Sequence, residues 1–221
     1  MKSFCELYED EKFDTVMVED DSLSAGEFKR LQKLAKKCEF LFATDKIKKL
    51  RMVKTKNELE KISMAEEIGC KAFEHILGFI KPGVAERDIA LEIEYFMRRQ
   101  GASGTSFDTI AISGSRTSLP HGVPTEKRIE LGDFVTMDFG CIVEGYCSDM
   151  TRTVVVGKAS PEQKRIYEAV KTAQQIGLDS ICEGALCSEC DKAARSYIEG
   201  LGYGQYFRHS LGHGVGLLVH E

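Results

Sequence analysis

The sequence predicts an α+β protein in two unequal parts, on three observations. Residues 13 to 50 alternate short apolar runs with one helix-like stretch, too little to close a domain alone. From Asn57 the apolar spacing changes to that of long helices. One order of elements (helix, glycine break, helix, glycine, strand) begins twice, on either side of two β-like runs that carry Asp138 and Asp149.

In chain order, FDTVMVED (13 to 20) reads as a strand, Ser24 to Lys37 as a helix and FLFAT as a second short strand. They form the tail of an α/β unit that ends near Arg51 to Lys56, where the composition turns basic and polar. Next, Ile62, Ala65, Gly69, Ala72, Phe73 and Ile76 recur at spacings of three and four, an apolar helix stripe that Pro82-Gly83 terminates. A second helix reaches Gly101. Phe107 to Ser113 reads as a strand, and SGSRTSLPHGVPT, with two glycines and two prolines, as a loop. Ser160, Pro161 and Gln163 open a later helix by N-cap, first-turn proline and capping-box acceptor; it runs to about Cys182, and after the Gly184 break another helix reaches Gly200. At an offset of 101 residues Ile80 aligns with Ile181, Gly83 with Gly184, Phe96 with Tyr197 and Gly101 with Gly202, which together with the shared order of elements points to an internal duplication.

Composition narrows the function classes. A chain of 221 residues with 43% hydrophobic content buries a substantial core. The net charge of -5 and pI near 5.7, with lysines scattered among acidic residues, give no footprint for nucleic acid. The start, MKSFCELYEDEKFD, has no apolar core after a basic residue, and no stretch approaches the roughly 20 apolar residues of a membrane helix. The expectation is a soluble, cytoplasmic protein with no membrane or nucleic-acid partner. Its 8 cysteines, irregularly spaced, read as free thiols. Cys187 and Cys190 form a C-x-x-C, but no second pair completes a zinc ribbon.

Between the two halves lies FVTMDFGCIVEGYCSDMTRTVVVG. If residues 142 to 145 form the loop, Cys141 faces Tyr146 and Asp138 stands directly opposite Asp149. Alternation along the strands puts Thr136, Asp138 and Gly140 on one face with Cys147, Asp149, Thr151 and Thr153, and Val135, Met137 and Phe139 on the other. Opposed side chains have Cβ atoms about 4.5–5.5 Å apart, where like charges are destabilising. A solvated hairpin with hydrated aspartates is one reading. Against it, Asp is disfavoured in strands and these two are flanked by Thr and Gly rather than by Lys or Arg. A divalent metal answers the repulsion better than water. Oxygen ligation favours a hard or borderline ion such as Mn²⁺, and an added imidazole suits Mn, Fe, Co or Zn.

The final run, HSLGHGVGLLVHE, holds His209, His213 and His220, three of the chain's 5 histidines. Gly212, Gly214 and Gly216 make a helix improbable, so it reads as a loop entering a strand, its glycines allowing close backbone approach. Its spacing is neither H-E-x-x-H nor G-x-G-x-x-G, and the chain has no P-loop and no G-x-S-x-G. A lone His is more often structural, and His75, in the helix stripe region, is read so. His121 lies in the other Gly/Pro loop and joins the site candidates.

PHGVPT, then MDFG followed by YCSDMTRT, then HSLGHGVGLLVHE, in this order, resemble the metallopeptidases of the pita-bread fold, especially the Xaa-Pro aminopeptidases and Xaa-Pro dipeptidases. The resemblance runs from about Arg51 to the end. It implies a remainder of a creatinase-like α/β N-terminal domain over 1–52 and a pita-bread catalytic domain over 53–221. It implies Asp138, Asp149 and His213 as metal ligands, with Asp149 bridging two ions or Asp138 chelating one, and His121, His209 and His220 on the substrate side. The cofactor would be two divalent ions, manganese first, with cobalt or zinc as alternatives. The implied activity removes the residue preceding a proline in second position, by a metal-bridged hydroxide attacking the scissile carbonyl, in a homodimer acting on peptides.

Members of that family hold their ions with five side chains, the last two being glutamates downstream of the VHE motif, and this chain stops at Glu221. The expectation is therefore a fragment, incomplete at the C-terminal side of its catalytic domain and inactive alone. A methionine aminopeptidase and a non-catalytic peptide-binding relative are the alternatives. A metal-free amidinohydrolase on this fold is disfavoured by the retention of Asp138, Asp149 and His213.

Overall fold

The computed structural model describes Phe4, Tyr8 and residues 13–221, so most of the stretch MKSFCELYEDEKFD lies outside the described residues. The chain divides into two compact units, Met1–Lys54 and Thr55–Glu221.

In the first unit β1 (Thr15–Val18) pairs in parallel with β2 (Glu39–Phe42). Parallel neighbours need a crossover, and α1 (Ala25–Leu34) supplies it. Ser24 and Glu27 cap that helix reciprocally. It stops at Leu34, short of the expected Lys37. A further helix, α2 (Thr44–Met52), lies between the second strand and the basic, polar end near Arg51 to Lys56, where the sequence pattern predicts no element. Its lysines and leucine face outward, so no apolar stripe announces it: Thr44 is the one buried residue of α2.

The second unit opens with α3 (Lys56–Leu77), started by a Thr55–Glu58 capping box, and α4 (Glu86–Arg99). Ala65, Ile68, Gly69, Ala72 and Ile76 of α3 are buried, as are Ile89, Ala90, Ile93 and Met97 of α4. Both stripes join one core with the buried faces of two small sheets. One sheet is β3 (Gly104–Thr105), β6 (Cys141–Val143) and β7 (Tyr146–Cys147); the other is β4 (Ile110–Ser113), β5 (Phe134–Phe139) and β8 (Met150–Val155), antiparallel with β5 in the middle. As alternation requires, Val135, Met137 and Phe139 are buried to 1%, 0% and 0% exposure, and Thr136 and Asp138 take the opposite face. The later helices, α5 (Pro161–Ser180) and α6 (Cys187–Gly200), pack on each other. Among the described residues no helix is long and apolar enough to cross a membrane.

The hairpin register differs from the expected one. The turn has two central residues, Glu144 and Gly145, with φ of 47° and 88°, so Val143 pairs with Tyr146 rather than Cys141. Two-residue loops with positive φ match the twist of the strands they join, and this outweighs the cost of placing Glu144 in a left-handed conformation. The pairing slides by two residues: Asp138 lies opposite Thr151, and Asp149 is diagonal to it. A shift of two preserves parity, so both carboxylates keep the same face. The C-terminal run also departs from expectation: residues 209–221 form neither strand nor helix. Its backbone is held by isolated bonds, with Cys147 N–H donating to Gly216 O (2.8 Å) and Glu221 N–H to Gly214 O (3.1 Å).

Gly140 joins the two sheets. A Cβ placed there would lie 1.9 Å from Ser148 O and 2.3 Å from Ser106 Oγ. Gly140→Ala is therefore expected to destabilise the protein by about 3 kcal/mol, the upper end for overpacking. An unchanged urea midpoint would show that the strands do not approach so closely.

Candidate metal centre

Asp138 projects from the polar face of β5 and accepts a hydrogen bond from Thr151 Oγ1 on β8 (2.8 Å). Asp149 precedes β8, and its backbone N–H donates to Glu66 Oε1 of α3 (3.2 Å). His213 reaches the same place from the glycine-rich run, with Nε2 3.2 Å from Asp149 Oδ2. The His220 ring lies against the His213 ring, centroids 4.1 Å apart.

The other face of His213 fixes its chemistry. Its Nδ1 sits 2.9 Å from Gly214 O. A carbonyl can only accept, so Nδ1 carries the hydrogen, and in the neutral ring Nε2 is left as a lone pair facing a carboxylate. Two acceptors at that separation require a proton or a cation between them. Burial pushes Asp138 above the usual carboxylate range; the Thr151 hydrogen bond pulls it back, the Asp149 charge adds to the rise, and His121 and His213 oppose it. Two carboxylates and one imidazole are the donors a borderline divalent ion takes, so the residues present fit a metal in kind. Their spacing is looser than a closed site: among the described residues no three His, Cys, Asp or Glu side chains form a compact metal-holding group.

The other histidines divide. His121, exposed in the loop after the 3-10 turn Gly114–Ser118, is close enough to act electrostatically on Asp138. His209 has different company: its ring meets Phe207 edge-on at 5.0 Å, its Nδ1 faces Ser210 O, and it acts on Asp191. His75 pairs with Glu92 (2.6 Å) and stacks on Phe96 (4.3 Å), bracing α3 against α4 as an ordinary structural residue.

Two acidic residues that the sequence reading passed over support this site. Glu66, raised chiefly by burial, holds the Asp149 backbone. Glu86, whose side chain is only 1% exposed, accepts five hydrogen bonds: from Ser113 N–H and Oγ, Arg116 Nε, and Thr125 N–H and Oγ1, at 2.8–3.2 Å. These bonds fasten both ends of the loop that carries His121. In sequence Glu86 looks like any acid in a first helical turn, and only its five distant donors reveal its role.

With this geometry established, comparison with known proteins places the chain. The model of metallopeptidase family M24 matches residues 60–221, and the chain belongs to that family. It is 43% identical over 220 residues to the Xaa-Pro dipeptidase of Pyrococcus furiosus, covering 100% of this chain and 63% of that protein. Among solved structures, the Xaa-Pro dipeptidase from Bacillus anthracis superposes with a TM-score of 0.93 at 44% identity, over 98% of this chain and 61% of that one. The X-Pro aminopeptidase from Thermotoga maritima gives a TM-score of 0.93 at 40% identity, over 98% and 62%. The pita-bread fold is thus shown, and the chain spans about three-fifths of the length of these relatives.

Burial alone would raise the Glu86 carboxyl, but the bonds from Thr125 and Ser113 more than offset it and hold it below its ordinary value of 4.5. A carboxylate depressed on folding contributes stability that is complete above its unfolded value and lost as pH falls through its folded one. Glu86→Gln, which turns an amide N–H₂ toward donors, is expected to cost at least about 1–3 kcal/mol at neutral pH. The gap between variant and wild type should narrow as pH falls below 4.5. A gap in urea denaturation that stays constant across that range would refute the assignment.

Proposed function

We propose that the chain carries the larger part of a metal-dependent peptidase that cleaves ahead of proline, of the Xaa-Pro dipeptidase or aminopeptidase type. The observation that carries this reading is His213 Nε2 lying 3.2 Å from Asp149 Oδ2, beside the half-buried carboxylate of Asp138. The Xaa-Pro dipeptidases of Pyrococcus and Bacillus and the X-Pro aminopeptidase of Thermotoga support the same substrate class.

In this reading Asp138, Asp149 and His213 hold the metal. A pair of bound divalent ions supplies an activated water and polarises the scissile carbonyl. His213 presents Nε2 because Gly214 O takes its other nitrogen, and Glu66 holds the Asp149 backbone. His220, edge-on to the His213 ring, and His121, within electrostatic reach of Asp138, would donate hydrogen bonds to the substrate oxygen that gains charge. His209 is assigned to the substrate side with them, from the far end of the same loop. Manganese is our first choice of ion, on the oxygen-rich donor set, ahead of cobalt or zinc. A homodimer acting on peptides in the cytoplasm completes the proposal.

The test is hydrolysis by the manganese-loaded complete enzyme of Xaa-Pro dipeptides, of longer peptides with proline second, and of Met-Ala peptides. Cleavage confined to the Met-Ala set would move the assignment to a methionine aminopeptidase. Asp149→Asn is expected to reduce turnover to background, whereas His121→Ala should keep metal content and lower kcat by about 10²–10³-fold. Metal lost from the His121 variant would make that residue a ligand instead.

A further inference from the structure

Asp191 and Arg195 lie one turn apart on α6 and form a two-pronged ion pair, Nε to Oδ2 at 2.7 Å and Nη2 to Oδ1 at 3.0 Å. A surface pair of this spacing needs no third partner. This one reaches a separate segment at alternate residues. Arg195 Nη1 donates to Phe207 O (2.7 Å), Nη2 to His209 O (2.8 Å), and Leu211 N–H donates to Asp191 Oδ1 (2.8 Å). The guanidinium also stacks on the Phe207 ring, 4.3 Å from its centroid. From the other side Leu211 enters the notch left by Gly177 of α5, where a Cβ would stand 2.8 Å from Leu211 Cδ2.

His213 follows two residues later, between Gly212, where a Cβ would meet nothing within 4 Å, and Gly214, which lies close against the Glu221 backbone. Its direction is therefore set by anchors on either side. The clamp on 207–211 lies before it, and the Cys147 to Gly216 and Glu221 to Gly214 bonds lie after it. Beyond His213 the backbone is held at Gly214, Gly216 and Glu221, and before it the clamp combines three backbone bonds, ring stacking and a seated side chain.

We infer that the Asp191–Arg195 pair is the positioning element for His213: it fixes the 207–211 segment and thereby holds the imidazole toward Asp149. The inference rests on the reading of His213 as a metal-holding residue. Arg195 is suited to the task because its planar fork serves a carboxylate and two carbonyls at once, which an ammonium point charge cannot reproduce.

The test is titration of the complete enzyme that contains this chain with Co²⁺ alone, read by the cobalt d–d absorption, with far-UV circular dichroism checking that the helices persist. Arg195→Ala is expected to weaken Co²⁺ about tenfold and alter the d–d band, and Asp191→Asn to do likewise. Arg195→Lys, which keeps the charge and is the gentler change for folding, should not restore binding. In a His213→Ala background, Arg195→Ala should add nothing, since both act through one imidazole.

Wild-type affinity in Arg195→Ala alongside weakened binding in His213→Ala would overturn the positioning role and leave the metal site standing. Losses that add in the double variant would also overturn it, as a general loosening of the fold. No Co²⁺ binding by the wild type, or full binding by His213→Ala, would overturn the metal-site reading and this inference with it.

Discussion

Val135, Met137 and Phe139 are buried against α3 and α4 only if Thr136 and Asp138 point the other way, and the rest of the site follows from that alternation. Strand β5 lies between β4 and β8, so its apolar face cannot turn without dismantling the core. Asp138 is thereby committed to a half-buried position that it would not choose for its own solvation. The tight Glu144–Gly145 turn returns the chain in a register that brings Asp149 to the same face. Hydrophobic burial thus holds two like charges near each other, and the strain falls on the one place where a cation relieves it.

The strands alone supply carboxylates; the imidazoles arrive on loops, and loops need fastening. Two polar clamps of similar logic provide it. Glu86, buried at the start of α4, gathers five donors from both ends of the His121 loop. Arg195, with Asp191, spreads its donors over the segment before His213. In each case a helix, fixed by its own apolar stripe, carries a charged side chain that satisfies loop backbone which regular secondary structure leaves unpaired.

How much of this was legible in the sequence depends on which physical signal each feature leaves. The α3 stripe, the capping box at Ser160 and the alternation across Asp138 are periodic or local signals, and the structure reproduces them. The hairpin register was misread because Glu-Gly is a weaker turn signal than Asn-Gly, and a four-residue loop through Ile142 to Gly145 has the same parity. Helix α2 was missed because it buries almost nothing. Glu66, Glu86 and the Asp191–Arg195 clamp were not legible at all: each looks like an ordinary helical charge, and what it binds is mostly loop backbone, which leaves no mark in the sequence. The expected strand after His213 failed for a related reason, since its backbone pairs only at isolated points.

The separation between His121 and His213 also bears on the order in which the molecule is made. Helices α3 and α4 and the β5–β8 hairpin can form from neighbouring stretches of chain, but each histidine loop can be fastened only once the helix that carries its anchor has formed. A contact made after the rate-limiting step is absent from its ensemble. Changes in the clamps therefore fall on how fast the native molecule opens rather than on how fast it assembles. A protein weakened there would still reach its fold on time, and its histidine loops would be the first parts exposed to a proteolytic enzyme.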